Sequence, residues 1–95
     1  MKIVAEMSLY PLKDGAVPDI IEFIRDLRRQ DGIEIVSNQL STQLRGEFEA
    51  VSGAVNRCLR KAMAAPNTVV LVVKYVNVDL EIGRAPTLTP PDRQP

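Results

Sequence analysis

The side chains best suited to chemistry in this chain are concentrated in the stretch Val36–Glu47. Four of them suit a binding site, namely Asn38, Ser41, Thr42 and Glu47. They offer one amide, two hydroxyls and one carboxylate as hydrogen-bonding groups. Such groups fit a small polar heterocycle like an aminopyrimidine, which presents ring-nitrogen acceptors and an exocyclic amine donor. The stretch therefore indicates binding of a ligand rather than catalysis.

Two residues of the first predicted strand, Ser8 and Glu6, are expected beside this cluster, because the first and third strands are neighbours in the sheet derived below. The cluster also has an ordinary structural explanation. Asn38 suits a tight turn, Glu47 suits the first turn of a helix, and the two hydroxyl residues between them fit a strand. Both explanations stay open from the residues alone. A bound heterocycle would also stack on an aromatic ring, and the aromatic residues are Tyr10, Phe23, Phe48 and Tyr75.

The sequence offers little for catalysis. It has no histidine and one cysteine, Cys58, which excludes Ser–His and Cys–His nucleophile pairs, zinc sites of the usual Cys/His kind and disulfides within the chain. Cys58 falls on an apolar helical stripe and is expected to be a core residue. An enzyme using Glu6 and Glu47 as acid and base, with Lys74 as a buried amine, is the weakest hypothesis. We expect no catalytic residue, no metal and no cofactor.

Charge and hydropathy exclude two classes of partner. Twelve basic and twelve acidic residues cancel, so no basic stripe is available for a phosphate backbone and nucleic acid is not expected. The longest apolar runs are too short to span a bilayer, so no membrane partner is expected.

The first residues alternate instead of forming the apolar block of a signal peptide. We expect a cytoplasmic protein.

Hydrophobic periodicity predicts the order strand, helix, strand, strand, helix, strand. The predicted strands are Lys2–Tyr10, Ile33–Asn38, Leu40–Arg45 and Thr68–Leu80. The first helix has about four turns from Val17, with Gly32 as its C′ residue, and the second has an apolar stripe from Phe48 to Met63 and is stopped by Pro66-Asn67. This order predicts an α+β, ferredoxin-like split βαβ fold (βαββαβ), a four-stranded antiparallel sheet with two helices on one face. The domain spans residues 1–83, and residues 84–95 form a Pro-rich tail that is disordered or serves as an oligomer arm.

Alternation indicates which side chains face the helices. The expected inward sets are Ile3, Ala5, Met7 and Leu9 on the first strand, and Leu40, Thr42 and Leu44 on the third. On the first helix the expected stripe is Val17, Ile20, Ile21, Ile24 and Leu27, with Phe23 on its flank. The continuous run Val69–Val73 suggests burial on both faces of the last strand.

The face of the sheet without helices is expected to mix valines with polar groups. Its predicted members are Val4, Glu6, Ser8, Tyr10, Val36, Ser41, Gln43, Arg45, Val70, Val72, Lys74 and Val76. Monomers rarely expose large apolar patches, so we predict that this face, or the edge of the last strand, is an oligomer interface. Valine is also simply a good strand former, which leaves a monomer as the alternative. Glu6 needs a partner on this face, either Lys74 or Arg45.

Two motifs resemble a known family. Ala5–Leu12 on the first strand and Thr42–Glu47 before the second helix, in this order and spacing, resemble the short single-domain branch of the YkoF-like thiamine/hydroxymethylpyrimidine-binding family. The resemblance covers roughly residues 2–80. This chain departs from the family at Ser41, where glycine is usual, and at Arg45, where an acid is usual.

The resemblance implies a ferredoxin-like fold and dimers that assemble through their sheets into tetramers, a dimer of dimers. It implies binding of thiamine or its hydroxymethylpyrimidine moiety without catalysis. Carried onto the matching positions, the ligand-binding residues are Ser8, Asn38, Thr42 and Glu47. The alternative function is a structural or regulatory oligomeric ferredoxin-like module without a vitamin ligand.

Overall fold

Four strands and two helices form one antiparallel α+β unit in the computed structural model, which describes residues 1–90. The elements are β1 (Lys2–Pro11), α1 (Val17–Arg28), β2 (Ile33–Ser37), β3 (Thr42–Glu47), α2 (Phe48–Met63) and β4 (Val69–Val76). The strand order β2-β3-β1-β4 places β1 and β3 in the centre and leaves β2 and β4 at the edges. This is the ferredoxin-like arrangement that the pattern of elements predicts.

Strand β1 contributes four buried side chains to the hydrophobic core. It pairs antiparallel with β3 on one side and with β4 on the other. Its inward residues, Ile3, Ala5, Met7 and Leu9, are all buried against the helices, as their alternation predicts. The two-residue period of a strand explains why this was readable from the sequence.

Helix α1 buries a narrower face than its apolar stripe suggests. Phe23 and Leu27 are its buried residues, whereas Val17 and Ile21 are exposed. The prediction that Phe23 lies on the flank is wrong, because the core-facing arc is centred on Phe23 and Leu27. The helix has 12 residues, slightly more than three turns. Gly32 adopts a φ of 77°, but it lies three residues beyond the C-cap Arg29, so it turns the chain into β2 rather than ending the helix.

Helix α2 spans the predicted apolar stripe, from Phe48 to Met63, and ends before Pro66 as expected. Its buried positions are Val51, Ala54, Val55 and Cys58. Cys58 is a core residue, as expected, and burial raises the pKa of its thiol. A thiol with a raised pKa carries little of the nucleophilic thiolate at neutral pH.

The β2–β3 hairpin has a longer loop than predicted, because β2 ends earlier and β3 begins later than expected. The strands pair as far as Ser37 and Thr42, which leaves Asn38–Ser41 as the loop. Thr42 and Leu44 are buried as predicted, but Leu40 is 84% exposed, so its inward assignment is wrong. Asn38 causes the difference, because its side-chain oxygen accepts hydrogen bonds from the backbone of Leu40 and Ser41. These bonds replace strand pairing in the loop.

Strand β4 is shorter than predicted and buried on one face. It ends at Val76 rather than Leu80. Val69, Leu71 and Val73 pack on the core, whereas the outward side chains at 70, 72 and 76 are exposed. The expected burial on both faces is wrong for the single chain, because β4 is an edge strand with helices on one side only.

The chain after β4 crosses the sheet face that carries no helices. Arg45 of β3 binds Asp79, and an added Cβ on Gly83 would lie 3.8 Å from a carboxylate oxygen of Glu34 on β2. Residues 77–84, called the strap below, therefore run from the β4 edge across to β2. The predicted tail is described only to residue 90, so part of it lies outside the described residues.

Candidate functional site

A cleft of about 330 Å³ opens where β1 runs past the beginning of β3. The last pair between these strands is Met7 with Thr42, so beyond Met7 the neighbour of β1 is the hairpin loop. The apolar lining is Met7, Leu9, Ile20, Phe23 and Ile24. The remaining lining residues are Ser8, Tyr10, Asn38, Gln39, Leu40, Ser41 and Thr42. An apolar floor with a few polar groups is the usual composition of a small-molecule site, and the volume lies near the lower end of the roughly 300–1,000 Å³ range.

Ser8 joins β1 to the hairpin loop. Its hydroxyl donates a hydrogen bond of 3.2 Å to the carbonyl oxygen of Leu40. This bond draws the loop toward β1 and sets the width of the cleft. The hydroxyl oxygen retains acceptor capacity for a ligand donor.

Asn38 shapes the rim of the cleft. Its Oδ1 accepts hydrogen bonds of 2.8 Å from the backbone N–H of Leu40 and 3.1 Å from that of Ser41. Its backbone N–H also donates to the carbonyl oxygen of Ser41 at 3.1 Å. The predicted turn role is therefore present. The side-chain Nδ2 forms no hydrogen bond within residues 1–90 and stays available as a donor.

Thr42 is a buried polar residue of the cleft wall. Its Oγ1 lies 3.0 Å from Oγ of Ser37 across the hairpin, and either oxygen can be the donor. Both hydroxyls are satisfied by this pair. Because a hydroxyl proton rotates freely, the same pair can redirect one donor or acceptor toward a ligand.

Glu47 lies at the opposite end of β3. It pairs with Lys2 of β1, five residues from Thr42, which corresponds to about 17 Å along a strand. Its carboxylate binds the N-terminal ammonium group at 3.0 Å, and it occupies the N-cap position of α2. The structure thus brings Ser8, Asn38 and Thr42 together at one cleft and leaves Glu47 away from it.

Ser41 of the cleft is hydrogen-bonded to the carboxylate of Glu6. This carboxylate lies 3.0 Å from Nζ of Lys74 and accepts the hydrogen bond of 3.1 Å from the hydroxyl of Ser41. The hydrogen bond from Lys74, followed by that from Ser41, lowers the pKa of Glu6. Of the two partners expected for Glu6, Lys74 is the one observed. The register that sets Glu6 opposite Lys74 decides this pairing.

Arg45 has its charge compensated inside the protein. Its Nε donates to Asp79 at 2.7 Å, and its Nη1 donates to Glu34 at 3.2 Å. The hydrogen bond to Asp79 raises the pKa of Arg45. Arg45 therefore anchors the strap, and it lies three residues from Thr42, about 10 Å along β3.

Several lining residues were not singled out as site residues from the sequence. Ile20 and Ile24 were assigned to the core face of α1, and Leu40 to the core face of β3. Tyr10 was predicted on the open sheet face and Phe23 on the flank of the first helix, and both were noted as available aromatic rings. No periodicity marks a residue as facing a cleft instead of the core, so the signal lay only in their proximity to Ser8, which requires the tertiary structure.

Residues 1–90 contain no group of three or more His, Cys, Asp or Glu side chains placed to hold a metal ion. None of the helices in this range has the length and apolar character needed to cross a membrane.

The fold of this chain is similar to that of several solved structures. No family model and no curated protein matches this chain. A hypothetical protein from Methanocaldococcus jannaschii is 23% identical with a TM-score of 0.71, and the match covers 84% of each chain. A domain of unknown function, DUF77, from Bacillus cereus is 18% identical with a TM-score of 0.67, covering 86% of this chain and 84% of that one.

A third solved structure has a description that concerns thiamine. It is a Thermotoga maritima protein described as a candidate thiamine biosynthesis/salvage protein. It is 19% identical to this chain with a TM-score of 0.60, and the match covers 90% of each chain. At such identities the likeness shows a shared fold, and function must be argued from the site.

Proposed function

We propose that this chain is a cytoplasmic, non-catalytic binding protein for thiamine or its hydroxymethylpyrimidine moiety, which binds in the cleft beside Ser8, Asn38 and Thr42. The observation that carries the proposal is the convergence of these three polar residues on a cleft with an apolar floor. The motifs resembling the YkoF-like family and the description of the Thermotoga maritima neighbour point to the same class of ligand.

The chemistry of the cleft matches an aminopyrimidine. Tyr10 offers exposed aromatic surface for the ring, and the free Nδ2 of Asn38 offers a donor for a ring nitrogen. The hydroxyls of Ser8 and Thr42 can accept from the exocyclic amine. For the positive charge of thiamine Glu6, which accepts a hydrogen bond from Ser41, is better placed than Glu47, because Glu47 lies about 17 Å from Thr42 along the strand.

The ionised state of Glu6, whose carboxylate accepts a hydrogen bond from Ser41 of the cleft, supports binding without catalysis. Lys74 and Ser41 stabilise the ionised form of Glu6 and lower its pKa. Such a carboxylate is a weak proton acceptor and carries almost no proton at neutral pH, so it is poorly matched to general acid–base work. It can still attract a cationic ligand.

Titration calorimetry with hydroxymethylpyrimidine and with thiamine tests the proposal. Asn38→Ala and Thr42→Val should each weaken binding, because each removes a hydrogen-bonding group from the cleft. Glu47→Gln is the matched control and should leave the affinity unchanged. Circular dichroism should confirm that every variant is folded. Folded wild-type protein that gives no heat at millimolar concentrations of both ligands contradicts the proposal, as does an affinity that depends on Glu47 alone.

A second candidate function has its own observation. The outward face of β4 exposes Val70, Val72 and Val76, next to the exposed Tyr10 of β1. Exposed apolar side chains on an edge strand favour association, so the alternative is an oligomeric structural or regulatory module, built as a dimer of dimers.

Sedimentation velocity separates this alternative from a monomer. Val70→Lys combined with Val72→Lys should dissociate an oligomer built through this face, because two desolvated charges would oppose packing. The control is Arg28→Lys combined with Arg60→Lys, which places two lysines at exposed helix positions and should not alter the oligomeric state. A wild-type protein that sediments as a monomer at high concentration argues against this second function.

A further inference from the structure

The strap, residues 77–84, follows one path across all four strands. It leaves β4 at Val76, passes over Val4 of β1, reaches Arg45 of β3 and ends near Glu34 of β2. The side chains that it meets point away from the helices, so the strap lies on the open face. It covers the half of that face opposite the hairpin loop.

Val4 lies on the open face beside the strap. It is 6% exposed on central strand β1, between Arg45 and Val76, whereas Val72 on edge strand β4 is 52% exposed. Val4 shares a cavity of about 410 Å³ with Leu80 and Ile82 of the strap. The cavity shows that the strap does not pack tightly on the sheet, so its apolar contacts hold it weakly.

The attachment of the strap is electrostatic. Asp79 accepts the hydrogen bond of 2.7 Å from Arg45, whose guanidinium is itself fixed by Glu34 on β2. Within residues 1–90 no backbone hydrogen bond joins the strap to the sheet, and the one found in the strap runs from Arg84 to Glu81. Val78 and Leu80 are exposed, and only Ile82 is half-buried.

We propose that the strap is a detachable cover of the open sheet face, locked by the ion pairs of Arg45, and that its release uncovers Val4. In the closed state the ion pairs of Arg45 with Asp79 and Glu34 are formed and Val4 is buried. In the open state Val4 joins Val76, its direct partner on β4, and the exposed Val70 and Val72. The lock therefore sets how much apolar surface the face presents. This inference is independent of the cleft, which lies at the other end of β1.

The charges around the lock determine the conditions that open it. Asp79 faces Arg45 of β3 and Lys2 of β1, and Glu81 of the strap opposes it. Arg45 also faces Glu34 of β2. High salt screens these exposed pairs, since the Debye length falls from about 10 Å at 0.1 M to about 3 Å at 1 M. Acid acts on Asp79, because protonation removes the charge that Arg45 binds.

Nuclear magnetic resonance on the full, methyl-labelled chain tests the lock. A soluble gadolinium chelate broadens methyl signals according to their exposure, and the Val72 methyls serve as an exposed reference. In wild-type protein at low salt the Val4 methyls should be broadened much less than those of Val72. In Arg45→Gln and in Asp79→Asn the broadening of Val4 should rise several-fold toward the Val72 value, and 1 M salt should have the same effect on wild type.

A control variant makes the result specific. Arg60→Gln removes an exposed helix arginine that has no ion pair within residues 1–90, so it should behave as wild type. Unshifted methyl signals of Leu44 and Val51 confirm that each variant keeps its core. The proposal is overturned if Val4 remains protected in both Arg45→Gln and Asp79→Asn, or if Val4 is already as broadened as Val72 in wild-type protein at low salt.

Discussion

Two leucines four positions apart, Leu40 and Leu44, have opposite environments. Leu44 on central strand β3 is completely buried, whereas Leu40 in the hairpin loop is 84% exposed. The alternation of the sequence places both on one face of a strand. The hydrogen bonds from the Asn38 side chain remove Leu40 from the strand, so the two residues make very different contributions to stability.

Leu44→Ala should lower the free energy of unfolding by about 2–5 kcal/mol, because it leaves a cavity in a closely packed core. Leu40→Ala should change it by less than about 0.5 kcal/mol, as is usual for an exposed position. Urea denaturation followed by circular dichroism measures both values. Similar losses for the two variants would mean that Leu40 is buried in solution, for example between two copies of the chain.

Residue by residue, the sequence predicted the positions that a strong period controls. The inward face of β1 is correct throughout, because alternation on a central strand has few alternatives. Leu40 and Phe23 were misplaced because turn chemistry and the centre of a helix face depend on contacts outside the local pattern. Among the site residues, Ser8, Asn38 and Thr42 converge on a cleft, but the 17 Å that separates Glu47 from Thr42, about five strand positions, could be seen only once the strand register was known.

At the scale of elements, two glycines show opposite constraints. Gly46 of β3 lies beside the chain that enters β2, and an added Cβ would lie 2.9 Å from the carbonyl oxygen of Gly32. Gly53 lies inside α2, where an added Cβ would meet only the guanidinium end of Arg57, also at 2.9 Å. Backbone cannot move aside cheaply, whereas the far end of an arginine can.

Gly46→Ala should therefore destabilise the protein by about 1–3 kcal/mol, the usual cost of overpacking. Gly53→Ala should stabilise it by about 0.5–1 kcal/mol, since alanine restricts the unfolded chain and favours a helix. The gain is reduced if Arg57 loses its hydrogen bond to Gln30. Thermal unfolding of both variants gives the two signs, and a stabilising Gly46→Ala would show that the β2–β3 contact is looser than described.

The elements themselves were largely predictable, and their ends were not. Helix α2 spans its predicted apolar stripe, and a proline follows it as predicted. Strand β4 ends four residues early, at Val76, because the chain then turns to bring Asp79 to Arg45. That attraction joins residues 34 positions apart, so no local pattern contains it.

At the scale of the whole molecule, the open face has a covered half and an uncovered half. The strap covers Val4, while Val70 and Val72 remain exposed near the end of β1 that holds the cleft. The sequence predicted an apolar open face and an interface upon it. It could not show that the chain covers half of this face itself, because the strap reads as the continuation of a strand followed by a polar segment.

Acid should weaken the fold through the charges of this face. The hydrogen bond from Lys74 lowers the pKa of Glu6, and that from Arg45 lowers the pKa of Asp79. Their ordinary values in the unfolded chain are 4.5 and 3.8. Over the range between the unfolded and folded pKa values the unfolded chain binds more protons than the folded one. The stabilisation is therefore complete above the unfolded values and is lost as the pH falls through the folded values.

Urea denaturation at a series of pH values from neutral down to pH 3 measures this loss. Glu6→Gln should flatten the acid limb of the stability curve, because it removes one group with a lowered pKa. Lys74→Met should flatten it partly, since Ser41 still donates to the carboxylate. The double variant should be no flatter than Glu6→Gln alone, because the two residues act through one interaction. A steeper acid limb in Glu6→Gln would show that the ion pair across β1 and β4 does not stabilise the ionised carboxylate in solution.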